Sequence, residues 1–231
     1  MESYRLEGQT FVIDDYDRKP AFSSFLPGLA GVKGIPLWTF YTNRGQGMNS
    51  FGIDNKGNAI MEFNSANTAF ENTQVKGFRT FLKIDGEYYE PFFTYEKEAK
   101  RQMRMNKNSF KIIETNEKYG IEVTVNYYVL PNESIGALVR QVSVKNIGDS
   151  AKEVQVIDGL PKIITYGIAN GEFKEMSNLF KSWADIRNLE NKVPYYTLRA
   201  STKDSAEVSD VEGGYYYLTV RDGKLQDVIY D

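Results

Sequence analysis

Apolar and polar residues alternate along most of this chain with the two-residue period of half-buried strands. The pattern is strict from Ile121 to Tyr127, which reads Ile-Glu-Val-Thr-Val-Asn-Tyr. Shorter runs of the same character lie at 11–13, 35–41, 48–53, 59–63, 78–84, 87–95, 110–114, 135–146 and 153–160. Turn chemistry separates them. Asp54-Asn55-Lys56-Gly57 and Asp85-Gly86 each sit between two apolar runs, as hairpin turns do, and a polar stretch at 115–120 joins two more. The pattern predicts at least nine strands with short antiparallel connections. Between the first two runs, 14–20 is a charged break. Residues 22–34 carry Pro27, Gly28, Gly31 and Gly34 and read as a loop, packed down through Phe22, Phe25, Leu26 and Leu29.

One stretch has a different period. From Gly171 to Glu190 the apolar residues Phe173, Met176, Phe180, Trp183, Ile186 and Leu189 are spaced by three and four, which predicts one helix over 171–190. Its stripe reads as core, with Trp183 as the anchor of any contact the helix makes with another domain or subunit. Strand character returns at 195–200, 215–221 and 225–230, with Asp222-Gly223 as a further hairpin turn. No repeat, low-complexity tract or linker divides the chain. The expectation is one all-β domain over 1–231, a large antiparallel β-sandwich with a single short helical segment. The last residues, Ile229-Tyr230-Asp231, fall in or directly after a predicted strand, so the chain reads as the N-terminal piece of a longer protein.

Composition narrows the chemistry. The 231 residues are 41% hydrophobic and 26% charged, enough to build a core. Aromatics reach 14%, with 16 Tyr and 14 Phe. That richness suits strands, and it also suits sugar binding, where an aromatic face meets the apolar face of a pyranose. The net charge of -3 offers no basic excess for a nucleic acid. There is no Cys and no His. Disulfides, thiolate nucleophiles, Ser-His-Asp triads and His- or Cys-ligated zinc are therefore impossible within this chain. Acid-base chemistry would fall to carboxylates, Lys or Tyr. The opening Met1-Glu2-Ser3-Tyr4-Arg5 lacks the features of a signal peptide, and no apolar run reaches membrane-spanning length. A cytoplasmic protein with no membrane partner is expected. The sequon Asn132-Glu133-Ser134 carries no meaning in that compartment.

Three stretches invite a functional reading. Gly28-Leu-Ala-Gly31-Val-Lys-Gly34 has neither the spacing nor the strand-to-helix context of a nucleotide loop, so no cofactor is expected from it. Asp14-Asp15-Tyr16-Asp17 groups carboxylates, but neighbours on an extended chain point to opposite faces, and a solvated loop is the expectation. The third runs from Trp38 to Gly47. In a strand starting near Pro36, Trp38 and Phe40 share one face while Thr39 and Tyr41 share the other. It leads into Asn43-Arg44-Gly45-Gln46-Gly47, read as a polar turn with its amide and guanidinium groups exposed, suited to sugar hydroxyls or a phosphate. An ordinary tight turn explains the same residues.

Four segments, Phe11-Val-Ile-Asp-Asp-Tyr, Phe22-Ser-Ser-Phe-Leu-Pro-Gly-Leu-Ala-Gly, Gly34-Ile-Pro-Leu-Trp and Tyr41-Thr-Asn-Arg-Gly-Gln-Gly, resemble the N-terminal region of bacterial cellobiose-phosphorylase-like glycoside phosphorylases. Ser50-Phe-Gly-Ile-Asp-Asn-Lys, Ile60-Met-Glu-Phe, Gly77-Phe-Arg-Thr-Phe and Arg199-Ala-Ser-Thr-Lys-Asp-Ser-Ala-Glu-Val extend the resemblance over most of the chain. The resemblance implies a galactose-mutarotase-like supersandwich placed ahead of an (α/α)6 barrel that carries the general acid, with phosphate attacking the anomeric carbon. This chain lacks the paired helices of such a barrel, so no catalytic residue is assigned. The implied role is noncatalytic: barrel support, subunit contact in a homodimer, and loop donation to a site for β-linked glucooligosaccharide and inorganic phosphate. Under that reading the candidate substrate-binding residues are Trp38, Tyr41, Asn43, Arg44 and Gln46. Two alternatives stand beside it. One is a free-standing carbohydrate-binding module. The other is a small enzyme of the sugar mutarotase type, against which the absence of His counts.

Overall fold

The computed structural model describes residues 3–93, 98–200, 206 and 213–228. The chain clusters into two compact units, Met1–Lys162 and Ile163–Asp231, where the sequence reading has one domain.

The first unit is an antiparallel β-sandwich. Its strands are β1 (Tyr4–Glu7), β2 (Thr10–Asp14), β3 (Ser23–Leu26), β4 (Leu29–Ala30), β5 (Ile35–Thr42), β6 (Met48–Ile53) and β7 (Ala59–Met61). The helix α1 (Ala66–Lys76) follows, and then β8 (Arg79–Ile84), β9 (Glu87–Tyr89), β10 (Lys100–Met105), β11 (Ser109–Asn116), β12 (Ile121–Val129), β13 (Leu138–Asn146) and β14 (Val154–Gly159). One layer is a six-stranded sheet in the order β1-β2-β10-β11-β12-β13. Two further sheets face it. One has the order β3-β5-β6-β7 with β4 on β5, and the other runs β14-β8-β9.

Alternation builds the core. Ile121, Val123, Val125, Tyr127 and Val129 of β12 are buried while the residues between them are not. Phe110 and Ile112 of β11 share that face. They meet Leu26, Tyr41 and Met48 from one opposing sheet and Leu82, Ile84 and Tyr89 from the other. Tyr41 stacks on Phe110 at 4.7 Å between ring centroids, and Phe110 on Tyr127 at 5.3 Å. The link from β13 to β14 carries the chain from the six-stranded layer to the β8 sheet, so consecutive strands lie in different layers.

Several expectations need correction here. The loop at 22–34 contains β3 and β4, both paired antiparallel with β5. It is packed down as expected through Leu26, which is buried, but Phe25 and Leu29 are exposed. The run at 87–95 is strand only to Tyr89, and positions 94 and 95 lie outside the described residues. The helix α1 carries no apolar stripe and was not expected. It buries Ala69 and Thr73, small residues that let it lie on β5 and β6. There the Thr42 hydroxyl donates to Thr73 Oγ1 at 3.0 Å, and Asn49 Nδ2 donates to the same oxygen at 3.2 Å.

The second unit holds the helix α2 (Asn170–Trp183) and the strands β15 (Ala184–Arg187), β16 (Tyr195–Leu198), β17 (Tyr215–Tyr216), β18 (Val220–Arg221) and β19 (Lys224–Leu225). The predicted helix over 171–190 is therefore one turn and more too long. Phe173 and Phe180 are buried as its stripe requires, and Met176 leaves helical geometry. After Trp183 the chain pairs with β16, with Ile186 opposite Tyr196. Cross-strand pairing wins over helical continuation there. Strand runs expected at 195–200, 215–221 and 225–230 are shorter in the fold, and positions 229 and 230 lie outside the described residues. Among the described residues no helix is long and apolar enough to cross a membrane.

Candidate functional site

The stretch from Trp38 to Gly47 is β5 and the turn that joins it to β6. The two faces of β5 separate as its alternation requires. Thr39 and Tyr41 point to the core side, where Tyr41 is 7% exposed and its hydroxyl donates to Met105 Sδ at 3.2 Å. Burial raises the Tyr41 hydroxyl above the usual tyrosine range. On the opposite face Phe40 packs with Phe25 at 5.0 Å and with Phe63 at 5.3 Å. Trp38 meets Phe63 edge-on at 5.7 Å, and its indole Nε1 donates to the Asn55 carbonyl at 3.0 Å. Gly52 on β6 makes room for the indole, since a Cβ there would lie 2.7 Å from the Trp38 ring.

The turn itself is buried, which corrects the expectation of exposed amide and guanidinium groups. Asn43 is 0% exposed. Its Nδ2 donates to the carbonyls of Tyr16 at 2.9 Å and Pro20 at 3.0 Å, and its Oδ1 accepts the Phe22 N–H at 2.9 Å. The side chain thus ties the 16–22 segment to the end of β5. Arg44 is half-buried and donates to the Asn43 and Lys19 carbonyls at 2.8 and 3.2 Å. The Tyr16 hydroxyl closes the clamp by donating to the Gly45 carbonyl at 2.7 Å. Gly45 and Gly47 both have positive φ, 49° and 82°, and a Cβ on Gly47 would lie 2.1 Å from the Phe110 ring. Glycine at 47 is thus required by backbone and space together.

Gln46 differs from its neighbours. Its Oε1 accepts from Arg140 and, at 3.5 Å, from the Thr80 hydroxyl. Arg140 continues the network to Asp158 at 2.5 Å and to the Tyr127 hydroxyl at 3.2 Å, with its guanidinium 5.0 Å from the Phe78 ring centre. The Tyr127 hydroxyl is pushed up to about 12 by burial, against the opposing pull of Arg140. The other end of the Gln46 amide, Nε2, is buried and has no hydrogen-bond partner.

A second polar network lies in the same sandwich. Arg101 on β10 faces Glu114 on β11 in the ladder, and both side chains are almost wholly buried. Arg101 donates to Glu114 at 2.6 Å, to Asp17 at 2.5 Å and to the Phe93 carbonyl at 2.7 Å. Glu114 also accepts from the Tyr89 hydroxyl and, at 2.7 Å, from the Phe92 N–H. Burial and the Glu114 charge push the Tyr89 hydroxyl well above its ordinary range. The acidic run at 14–17 is therefore not a solvated loop. Tyr16 is fully buried, Asp17 pairs with Arg101, and Asp14 accepts from Gln102 Nε2 at 2.7 Å and from Arg5. For Asp14 burial acts to raise the carboxyl, but those two donors outweigh it and hold the group below its usual range. Sequence reasoning missed this network. One signal was available: Glu114 keeps the parity of Phe110 and Ile112, which places a carboxylate on the core face of β11.

Among the described residues no group of three His, Cys, Asp or Glu side chains is placed to hold a metal ion. Of the five candidate substrate-binding residues, Asn43, Arg44 and Gln46 come together in one turn, Tyr41 lies in the core, and Trp38 lies on the opposite face of β5. No protein-family model matches this chain, and no curated protein matches it either.

Proposed function

We propose that this chain serves as a noncatalytic β-sandwich domain of a cellobiose-phosphorylase-like glycoside phosphorylase acting on β-linked glucooligosaccharides, where it supports a catalytic barrel and a subunit contact. The observation that carries the reading is the use made of the Asn43–Gly47 turn. Its polar side chains hydrogen-bond mainly to the protein's own backbone and to Arg140. A residue set spent in this way shapes a loop rather than attacking a substrate. The buried Arg101–Glu114 pair is equally closed, with its donors and acceptors taken by the fold.

Complementation in trans tests the proposal. The chain, added to a β-glucoside phosphorylase whose own N-terminal sandwich has been removed, is expected to restore a soluble and active enzyme. It should release no glucose 1-phosphate alone from cellobiose, laminaribiose or sophorose in phosphate. Turnover by the chain alone, or failure to restore the truncated enzyme, contradicts the reading.

A further inference from the structure

The outer faces of the sandwich differ in character. On the six-stranded sheet, Glu122, Thr124 and Asn126 of β12 point outward beside Lys145, Ser143 and Gln141 of β13, a polar surface of the kind that faces water. On the β14-β8-β9 sheet, Leu82 and Ile84 of β8 and Tyr89 of β9 point into the core, so Phe81, Lys83 and Tyr88 point out. Ile157 of β14 lies opposite Phe81, and Gln155 opposite Lys83. Phe81, Tyr88 and Ile157 are 38%, 81% and 58% exposed. The cations of this face lie by its rings. Arg79 is 4.6 Å from the Phe81 ring centre, and Lys83 is 5.3 Å from that of Tyr88. Arg79 also holds Glu90 in a two-pronged ion pair at 2.7 and 2.8 Å. Two rows result. One runs Ile157, Phe81 and then Glu90, two residues past Tyr88; the next runs Gln155, Lys83, Tyr88.

We infer that this face is an interface between two copies of this chain, packed sheet on sheet about a twofold axis. The axis lies between the sheets and across the strands, level with Leu82, so that each row of one copy meets the other row of the second. Every facing pair is then attractive. Phe81 meets the Lys83 ammonium, the Tyr88 hydroxyl donates to the Glu90 carboxylate, and Ile157 lies on the aliphatic stem of Gln155. An axis along β8 instead sets Lys83 against Lys83 and Ile157 against Glu90, so charge selects the first arrangement. The three apolar side chains expose roughly 300 Å² between them, and two copies cover about twice that, a small centre against the roughly 1,600 Å² of a standard interface. A dissociation constant on the order of tens of micromolar is expected from it. The interface deepens the subunit contact proposed above and rests on that part of the reading alone. A chain that stays monomeric leaves barrel support to be judged in trans, and failed complementation leaves the dimer.

The test is sedimentation velocity of the chain from about 1 to 500 µM, which brackets that constant. The expected result is a reversible passage from monomer to dimer. Ile157→Lys puts a cation on the apolar row and should weaken association by about tenfold or more, and Tyr88→Ser by about threefold to tenfold. Both side chains are exposed, so neither change empties the core, and circular dichroism checks that each variant folds. Thr124→Lys, on the polar face, should leave association unchanged. A chain that is monomeric throughout overturns the inference, because the face then belongs to another partner or to water. So does a dimer that Ile157→Lys and Tyr88→Ser leave intact, or that Thr124→Lys weakens as much as they do.

Discussion

The sandwich contains two networks centred on an arginine of its six-stranded sheet, and they differ in how completely they close. Around Arg101, three donor contacts meet Glu114, Asp17 and the Phe93 carbonyl, and Glu114 also takes the Phe92 N–H and the Tyr89 hydroxyl. Around Arg140, contacts reach Asp158, Gln46, Thr80 and Tyr127, and the chain of bonds ends on an amide nitrogen with no partner. A closed buried network fixes geometry, because every member would be costly to release. An open one leaves a group whose desolvation is unrepaid until something else supplies the missing bond. The first therefore reads as architecture closed on itself and the second as architecture with one donor left without a partner.

The largest effect should come from breaking the closed network. Arg101→Ala strands Glu114 in the core without its cation and should lower stability by about 3–5 kcal/mol in denaturant unfolding. A loss below about 1 kcal/mol would show that the cluster is hydrated and the contrast unfounded. Alkaline titration comes next and separates the two networks by their tyrosines. Tyr127 beside Arg140 is raised to about 12, and Tyr89 beside Glu114 is raised further. A raised folded value means that stability is fully present below the unfolded value near 10 and falls as the pH rises toward the folded one. Tyr127 alone should then cost about 2–3 kcal/mol by pH 12, while absorbance at 295 nm shows its ionisation ahead of Tyr89. Tyrosinate forming at Tyr127 near pH 10 in the folded protein would contradict the burial argument.

Smaller effects sharpen the open side. Arg140→Lys keeps a charge for Asp158 but loses the fork that serves Gln46 and Tyr127 together, and should cost about 1–2 kcal/mol by the same unfolding assay. Gln46→Glu keeps the acceptor for Arg140 and should change stability by about 1 kcal/mol or less. A larger loss there would mean that Nε2 has a partner in the folded protein after all.

Much of this arrangement was legible in the sequence, and the parts that were not share a cause. Strict alternation in β12 and the Asp85-Gly86 turn report local geometry, and the fold contains both as read. β10, with the sequence Lys-Arg-Gln-Met-Arg-Met, does not look like a core strand, because one of its inward positions is an arginine whose partner lies 13 residues on. The helix α1 has a polar sequence and buries only Ala69 and Thr73, so no stripe announces it. Gly45, Gln46 and Gly47 look like surface turn chemistry, since nothing local reveals that Tyr16, Thr73 and Phe110 close over them. The clustering of Asn43, Arg44 and Gln46 was readable from their adjacency. Their burial was not, because it depends on segments 21 to 94 residues away.

The most direct test compares two amides in one spectrum. Asn43 and Gln46 lie in the same turn and are both buried, yet the fold uses both Asn43 Nδ2 and Oδ1 and leaves Gln46 Nε2 without a partner. Side-chain amide exchange and proton shifts in the 15N-labelled chain should show Asn43 protons downfield and slow to exchange. The Gln46 pair should lie upfield and exchange faster. Equal protection and equal downfield shifts at the two residues would contradict the account, because the turn would then be closed at both.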